Sequence, residues 1–149
     1  MDKLIERIKD QFTLDWEGTH GINHWKRVEA NGLKIANVTG ANPKIVSLFA
    51  YLHDSRRLNE WTDDGHGARG AKFAAQLRFD YFNLSDRDFD CLYYAIEKHS
   101  DGLISDSDIT VEACWDADRL DLTRVGITPN PKYLCTCEGR NLARELRTL

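Results

Sequence analysis

The sequence lacks a long hydrophobic run, a cysteine framework and an excess of one charge, and each absence excludes a class of protein. No apolar stretch approaches the roughly 20 residues that a membrane-spanning helix needs. The four cysteines are too scattered for a disulfide framework or for paired Cys-x-x-Cys knuckles, so we expect reduced thiols. They are Cys91, Cys114, Cys135 and Cys137.

The charge balance argues against long nucleic acids and membranes as partners. The 20 basic and 24 acidic residues leave a net charge of -4, so no overall field attracts the chain to a polyanion. An anionic substrate must therefore meet cations that are placed locally. The N-terminal segment has no signal-peptide core, and we expect a cytoplasmic protein. Nothing in the composition indicates an oligomeric state.

Internal repeats, low-complexity tracts and sustained alternation of polar and apolar residues are also missing. The apolar residues recur instead at helical spacing, which predicts an all-α protein with little or no sheet. The 149 residues, of which 42% are hydrophobic, suffice for one core. We therefore expect one domain, residues 1–149, built as a compact bundle of about 6–8 helices.

Capping residues mark several of the predicted helix boundaries. Gly40 predicts the end of a helix that begins near His24. Asn42 followed by Pro43 predicts the start of the next helix. Ser85, with an aspartate three residues later, resembles a capping box at the start of another. Further helical segments are predicted near the N-terminus, through Ala71–Leu77 and around Asp116.

Three of the predicted helices carry metal-competent side chains on their apolar faces. His53 lies four residues after Phe49, which directs its imidazole inward, and Asp54 follows directly. A lone core histidine is usually satisfied by a backbone carbonyl, but an adjacent carboxylate is less ordinary. Asp116 is flanked by apolar residues at helical spacing, and a buried carboxylate needs a cation nearby, either a metal or an arginine. His99 lies on an inner face by the same reasoning.

These residues carry a resemblance to a known family. His24-Trp25-Lys26-Arg27-Val28, His53-Asp54 and the segment from Trp115 to Asp121 resemble, in this order, the HD-domain superfamily of metal-dependent phosphohydrolases. The last segment looks especially like small bacterial HD proteins, some of which hydrolyse nucleotides. The resemblance implies a helical bundle of the HD-domain type and one metal held by His24, His53, Asp54 and Asp116. Asp118, two positions farther round the helix, is expected to face elsewhere.

Two further histidines match the family's pattern. The segment from His66 to Ala71 is similar to its His-x-x-x-Gly-Ala element, and His99 is similar to its late histidine. In dinuclear members these two positions bind a second metal; the alternative is that they contact substrate phosphate beside a single metal. The glycines around His66 indicate a mobile loop, which favours the phosphate contact. One departure is that Ser55-Arg56-Arg57 lacks the acidic residue that some nucleotide-hydrolysing relatives carry three positions after the aspartate of the doublet.

The ligand types limit the metal and the reaction. Mixed imidazole and carboxylate ligands suit Mn, Fe, Co, Ni or Zn, whereas Mg prefers more oxygen donors. Such a metal activates water and polarises a phosphoryl oxygen, and Asp54 is the candidate catalytic residue that orients the water, with another base left open. The candidates for binding substrate phosphate are Arg56, Arg57, Lys98 and Arg124. Arg27 and Arg119 are expected to pair with Asp118 or Asp121, and His20 to orient a ligand or to cover the site.

The sequence thus predicts a metal-dependent phosphohydrolase that acts on a small phosphorylated compound, a nucleotide above all. Two alternatives come from other functional classes. One is an HD-fold sensor or scaffold that binds metal without turnover. The other is a di-iron oxygenase, which requires all six ligand positions and a redox-active metal pair.

Overall fold

Seven α-helices make up most of the chain, and the structure, a computed structural model, describes all residues 1–149. Two short 3₁₀ helices, Leu120–Val125 and Pro131–Tyr133, lie between the last two α-helices. The only β-type pairing is an isolated bridge between Arg78 and Phe82, so the prediction of an all-α fold is confirmed. The helices are α1 (Asp2–Gln11), α2 (Ile22–Thr39), α3 (Pro43–Leu52), α4 (His66–Leu77), α5 (Asp86–Lys98), α6 (Ile109–Arg119) and α7 (Cys137–Arg147).

The predicted boundaries of α2, α3 and α5 rest on local hydrogen bonds. Gly40 ends α2 in the left-handed conformation, with φ of 81°, which a residue without Cβ adopts at little cost. The Asn42 side chain accepts hydrogen bonds from two backbone N–H groups at the start of α3. The Ser85 hydroxyl accepts one from the N–H of Asp88 at the start of α5. These capping interactions satisfy donors that the helix itself leaves free.

Helix α2 crosses the centre of the bundle and packs against α3 and α6, while α4 pairs with α5. The core includes fully buried aromatic side chains, among them Trp25, Trp115 and Phe49. At the crossing, a Cβ on Gly32 would lie 3.2 Å from the Cβ of Ala117 and closer still to the Val46 side chain. A glycine is therefore required where α2 meets both neighbours. No helix in the chain has the length and apolar content to cross a membrane.

Candidate metal centre

Four of the five histidines lie at helix ends and meet in the interior. His24 is in the first turn of α2, His53 directly follows α3, His66 is the first residue of α4 and His99 directly follows α5. All four are buried, with at most 5% of each residue exposed. Their common neighbour is Asp54, which is 2% exposed and immediately follows His53. The fold therefore brings together side chains that are up to 75 residues apart in the sequence.

His24 and His53 form the first half of the site. Their Nε2 atoms are 3.2 Å apart. Oδ2 of Asp54 lies 3.4 Å from each of these nitrogens. Oδ1 of Asp118 lies 3.3 Å from the His24 Nε2 and 3.5 Å from the His53 Nε2. Two imidazoles and two carboxylates thus surround one point.

His66 and His99 form the second half of the site. Their Nε2 atoms are 2.9 Å apart. The other carboxylate oxygen of Asp54, Oδ1, lies 3.3 Å from the His66 Nε2 and 3.5 Å from the His99 Nε2. Asp54 therefore faces one pair of histidines with each of its oxygens, and the two halves share this residue.

Every imidazole in the cluster is oriented by a hydrogen bond from its other nitrogen. The Nδ1 of His24 bonds Oδ2 of Asp121 at 2.7 Å. The other three bond backbone carbonyl oxygens, which accept and never donate. These are His53 with Ala50 at 3.0 Å, His66 with Asp63 at 2.5 Å and His99 with Ile96 at 2.6 Å. Each Nδ1 must carry the hydrogen, so each neutral ring directs its Nε2 lone pair into the site.

With the four rings neutral, acceptors outnumber donors inside the cluster, and Nη1 of Arg57 is the one donor directed into it. Four Nε2 lone pairs face the oxygens of Asp54 and Asp118, and the buried Oδ1 of Asp118 has no hydrogen-bond partner. Burying such acceptors close together is unfavourable unless a cation lies among them. The donor atoms can hold metal in two overlapping groups, His24 with His53 and Asp118, and His53 with Asp54 and His99. Imidazole with carboxylate suits Zn, Mn, Fe, Co or Ni.

Without metal, the carboxylates favour protonated histidines. Burial opposes protonation of His24, but Asp118, Asp121 and Asp54 outweigh it and raise its pKa to about 9. Burial acts in the same way on His53, and the charges of Asp54 and Asp118 raise its pKa to about 10. Burial would raise the pKa of Asp54 and Asp118, yet the neighbouring histidines hold both well below the usual value. The site therefore favours a positive charge, whether it is carried by a metal ion or by protons on the histidines.

Metal binding is consequently expected to displace protons. Since the pKa values of His24 and His53 are raised above neutrality, at least one proton should leave when these two residues bind a metal at pH 7. Metal affinity should rise by about tenfold per pH unit between pH 6 and 8 for each proton released. Calorimetry of Zn²⁺ binding in two buffers of different ionisation enthalpy measures the proton count. A heat and an affinity that are independent of buffer and pH would contradict this electrostatic account.

The prediction that Asp116 is a metal ligand is wrong, because its carboxylate is bound to the segment before α7 and not to the histidine cluster. Its Oδ1 accepts the backbone N–H of Cys135 at 2.7 Å, and its Oδ2 accepts the N–H and the hydroxyl of Thr136, both at 2.8 Å. The carboxylate thereby fastens the start of α7 to α6. Burial raises the pKa of Asp116 in spite of these donors. Asp118, which was expected to face elsewhere, is the carboxylate that the fold places between His24 and His53.

The structure separates the four arginine and lysine candidates for substrate phosphate. Arg56 lies over the Phe73 ring, 4.2 Å from its centroid, and makes no contact with the cluster. Lys98 is 39% exposed and faces Asp101 at 3.8 Å. The guanidinium of Arg124 donates to the backbone oxygens of Thr19 and Asp121. Arg57 alone reaches the cluster, 3.3 Å from the His66 Nε2. Arg56, Lys98 and Arg124 thus make their contacts outside the cluster, and a role for them in binding phosphate stays a prediction.

Arg27 and Arg119 were both predicted to pair with an aspartate near the site, and only Arg27 does so. Arg27 donates from Nε to Oδ1 of Asp121 at 2.7 Å, so the expected pairing is confirmed, and it helps to hold the carboxylate that orients His24. Arg119 instead donates to the backbone oxygens of Tyr133 and Leu103. It joins the segments after α5 and α6 rather than orienting a ligand.

The mobile loop predicted at His66 is also wrong. Gly67 lies inside α4 and is buried, and a Cβ there would be 2.6 Å from the backbone oxygen of Glu97. The glycine is needed because the start of α4 packs directly on the end of α5. This close approach brings His66 against His99, in the geometry of a fixed ligand position.

The fifth histidine, His20, lies beside the cluster. Its Nδ1 is 2.7 Å from Oε2 of Glu60, and its ring centroid is 6.5 Å from that of His24. Burial lowers the pKa of His20; Asp54 and Glu60 oppose this shift, and Arg57 and Arg124 add to it. The ring is therefore neutral at pH 7, with the hydrogen on Nδ1 and an unpaired Nε2. Sequence reasoning had no signal for Glu60, which lies 40 residues away in a loop.

Comparison with known proteins supports the fold. No protein-family model and no curated protein matches this sequence. A crystal structure of a predicted HD superfamily hydrolase from an uncultured Thermotogales bacterium matches with a TM-score of 0.78 and 23% sequence identity. The match covers 99% of this chain and 85% of that one. The chain therefore has the HD-domain fold, as the motif resemblance implied.

Proposed function

We propose that this chain is a metal-dependent phosphohydrolase that acts on a small phosphorylated compound, with nucleotides as the favoured class. The observation that carries the proposal is the buried cluster of four inward Nε2 atoms with Asp54 and Asp118, in which acceptors outnumber donors and which suits a transition metal. The HD-domain fold shared with a predicted hydrolase agrees with it. His24, His53, Asp54 and Asp118 would hold the first metal.

The residues around the cluster divide the remaining tasks. A bound metal supplies a Lewis acid that polarises a phosphoryl oxygen and lowers the pKa of water. Arg57 directs Nη1 toward the cluster and offers hydrogen bonds to phosphate oxygens. The residue is only 7% exposed, so its charge acts in a medium that screens it weakly. Asp121 and Arg27 hold His24 in its ligand orientation.

His20 is the histidine left to move a proton, because the other four direct Nε2 into the metal cluster. The Glu60 carboxylate accepts the Nδ1 hydrogen and leaves the His20 Nε2 free as an acceptor. In the proposed reaction, the His20 Nε2 takes up, before the attack, a proton from solvent equivalent to the one that water releases on becoming hydroxide, so His20 takes no part in forming the new P–O bond. It then donates this proton to the leaving oxygen as the old P–O bond breaks.

The role of His20 predicts a dependence on the leaving group. His20→Gln should lower kcat about 100-fold on a nucleoside monophosphate, whose sugar alkoxide must be protonated as it leaves. The loss should be much smaller on p-nitrophenyl phosphate, whose leaving group needs no proton. Glu60→Gln should show the same pattern more weakly, and bound metal should stay unchanged in both variants. Equal losses on both substrates would remove His20 from proton transfer.

The function itself is tested with a substrate panel. Protein purified without chelator is analysed for metal and then incubated with nucleoside mono-, di- and triphosphates and p-nitrophenyl phosphate at neutral pH. Phosphate release that stops with chelator and returns with Mn²⁺, Co²⁺ or Zn²⁺ would support hydrolysis. Stoichiometric metal without turnover on any substrate would instead favour a sensor or scaffold.

A further inference from the structure

The half of the site formed by His66 and His99 already contains a positive charge from the chain itself. Nη1 of Arg57 lies 3.3 Å from the His66 Nε2 and 3.9 Å from Oδ1 of Asp54. Both atoms belong to the donor set in which a second metal would be bound. The half formed by His24 and His53 has no such neighbour and has two carboxylates, Asp54 and Asp118, instead of one.

Arg57 is fixed in this position by its surroundings. Its Nε donates to the backbone oxygen of Asn59 at 3.2 Å, and its Nη2 donates to that of Trp61 at 2.6 Å. Only Nη1 is left for the cluster, and the side chain is 8% exposed. A guanidinium does not lose its proton in proteins, so this charge is permanent. It can be removed from the His66 half only by rearranging the loop that holds it.

We propose that Arg57 takes the charge role of a second metal, so that the two halves of the site bind metal unequally. A divalent ion bound by His66 and His99 would lie within a few ångström of the guanidinium, in a weakly screened interior, and would be repelled. The half with His24 and His53 binds its metal tightly. The half with His66 binds a metal ion weakly. In that half, Arg57 is the cationic group that faces a substrate anion. The inference rests on the metal site of the proposed function but not on hydrolysis.

The test counts Mn²⁺ ions without substrate. Wild-type protein should bind one Mn²⁺ tightly and a second at least about tenfold more weakly, with the electron paramagnetic resonance signal of an isolated ion at one equivalent. Arg57→Gln removes the charge and should tighten the second site by about tenfold or more, with the signal of a spin-coupled pair at two equivalents. Arg57→Lys keeps the charge and should resemble the wild type. Arg56→Gln, at the neighbouring arginine that contacts Phe73, is the matched control and should change nothing.

Several outcomes would overturn the proposal. Two equally tight sites in the wild type would show that Arg57 does not disfavour the second metal. An affinity of the second site for Mn²⁺ that is unchanged in Arg57→Gln would lead to the same conclusion. If Arg57→Lys and Arg57→Gln both tighten it equally, loop packing and not charge sets the affinity. Wild-type protein that binds no Mn²⁺ at all would contradict the metal site itself, whereas one-metal protein without phosphatase activity would contradict only the proposed reaction.

Discussion

Replacing Asp118 with Asn is expected to lower metal affinity by more than about 100-fold and to abolish metal-dependent activity. Asp118 contributes one of the two carboxylates of the tighter half of the site, and its buried Oδ1 has no other partner. Loss of a residue that only orients a ligand costs about 10–100-fold in affinity, so loss of the ligand itself should exceed that range. Metal content by mass spectrometry and titration with Zn²⁺ are the measurements.

Asp116→Asn is the matched control, the same chemical change two residues earlier. It should leave bound metal at one equivalent while destabilising the protein, because the amide cannot accept all three donors from Cys135 and Thr136. Each buried donor left without an acceptor costs about 1–3 kcal/mol, which denaturant unfolding measures readily. Asp118→Asn should unfold close to the metal-free wild type. Metal loss in Asp116→Asn with retention in Asp118→Asn would show that the two roles are exchanged.

Asp54→Asn is expected to have the second large effect, because Asp54 faces both pairs of histidines. Its Oδ2 contacts the nitrogens of His24 and His53, and its Oδ1 contacts those of His66 and His99. Loss of its charge should therefore remove tight metal binding and lower kcat/KM by at least about 1000-fold. Circular dichroism should show unchanged helix content, since Asp54 lies after the end of α3.

His66→Ala separates the two halves in the same assay. It removes one ligand from the weaker half and leaves His24, His53, Asp54 and Asp118 intact. The first equivalent of metal should be retained, whereas substrate binding should weaken. If His66→Ala and Asp54→Asn lose metal to the same extent, the two halves do not bind independently and the shared role of Asp54 must be revised.

The local signals in the sequence predicted most of the helices correctly. Asn42, Ser85 and Gly40 act on backbone groups within a few residues of themselves, so their effect is independent of the rest of the chain. Helix α7 was not foreseen. It is short, largely exposed and rich in charged residues, with only Gly139 and Ala143 buried, and its start is capped by Thr136 beside the distant Asp116.

The site was only partly predictable from the sequence. The adjacent His53-Asp54 pair and the ordered histidines identified the chemistry, because metal ligation requires these residue types at inward positions. Sequence spacing alone could not decide whether Asp116 or Asp118 points into the metal site. The two side chains lie about 200° apart around α6, and α6 is enclosed on both sides, by α2, α3 and α5 and by α7. Both side chains can therefore point into the protein interior, and an inward direction for one of them does not exclude an inward direction for the other.

The sequence by itself determined three helix boundaries, at Gly40, Asn42 and Ser85, which residue types can bind metal and that the chain forms a helical bundle. These depend on hydrogen bonds and apolar spacing within one helix. Only the tertiary structure decided that Asp118 joins His24 and His53, that His66 meets His99 across Gly67, and that Arg57 enters the second half of the site. Each of these depends on how one helix end is placed against another, a relation between residues distant in sequence that no local pattern records.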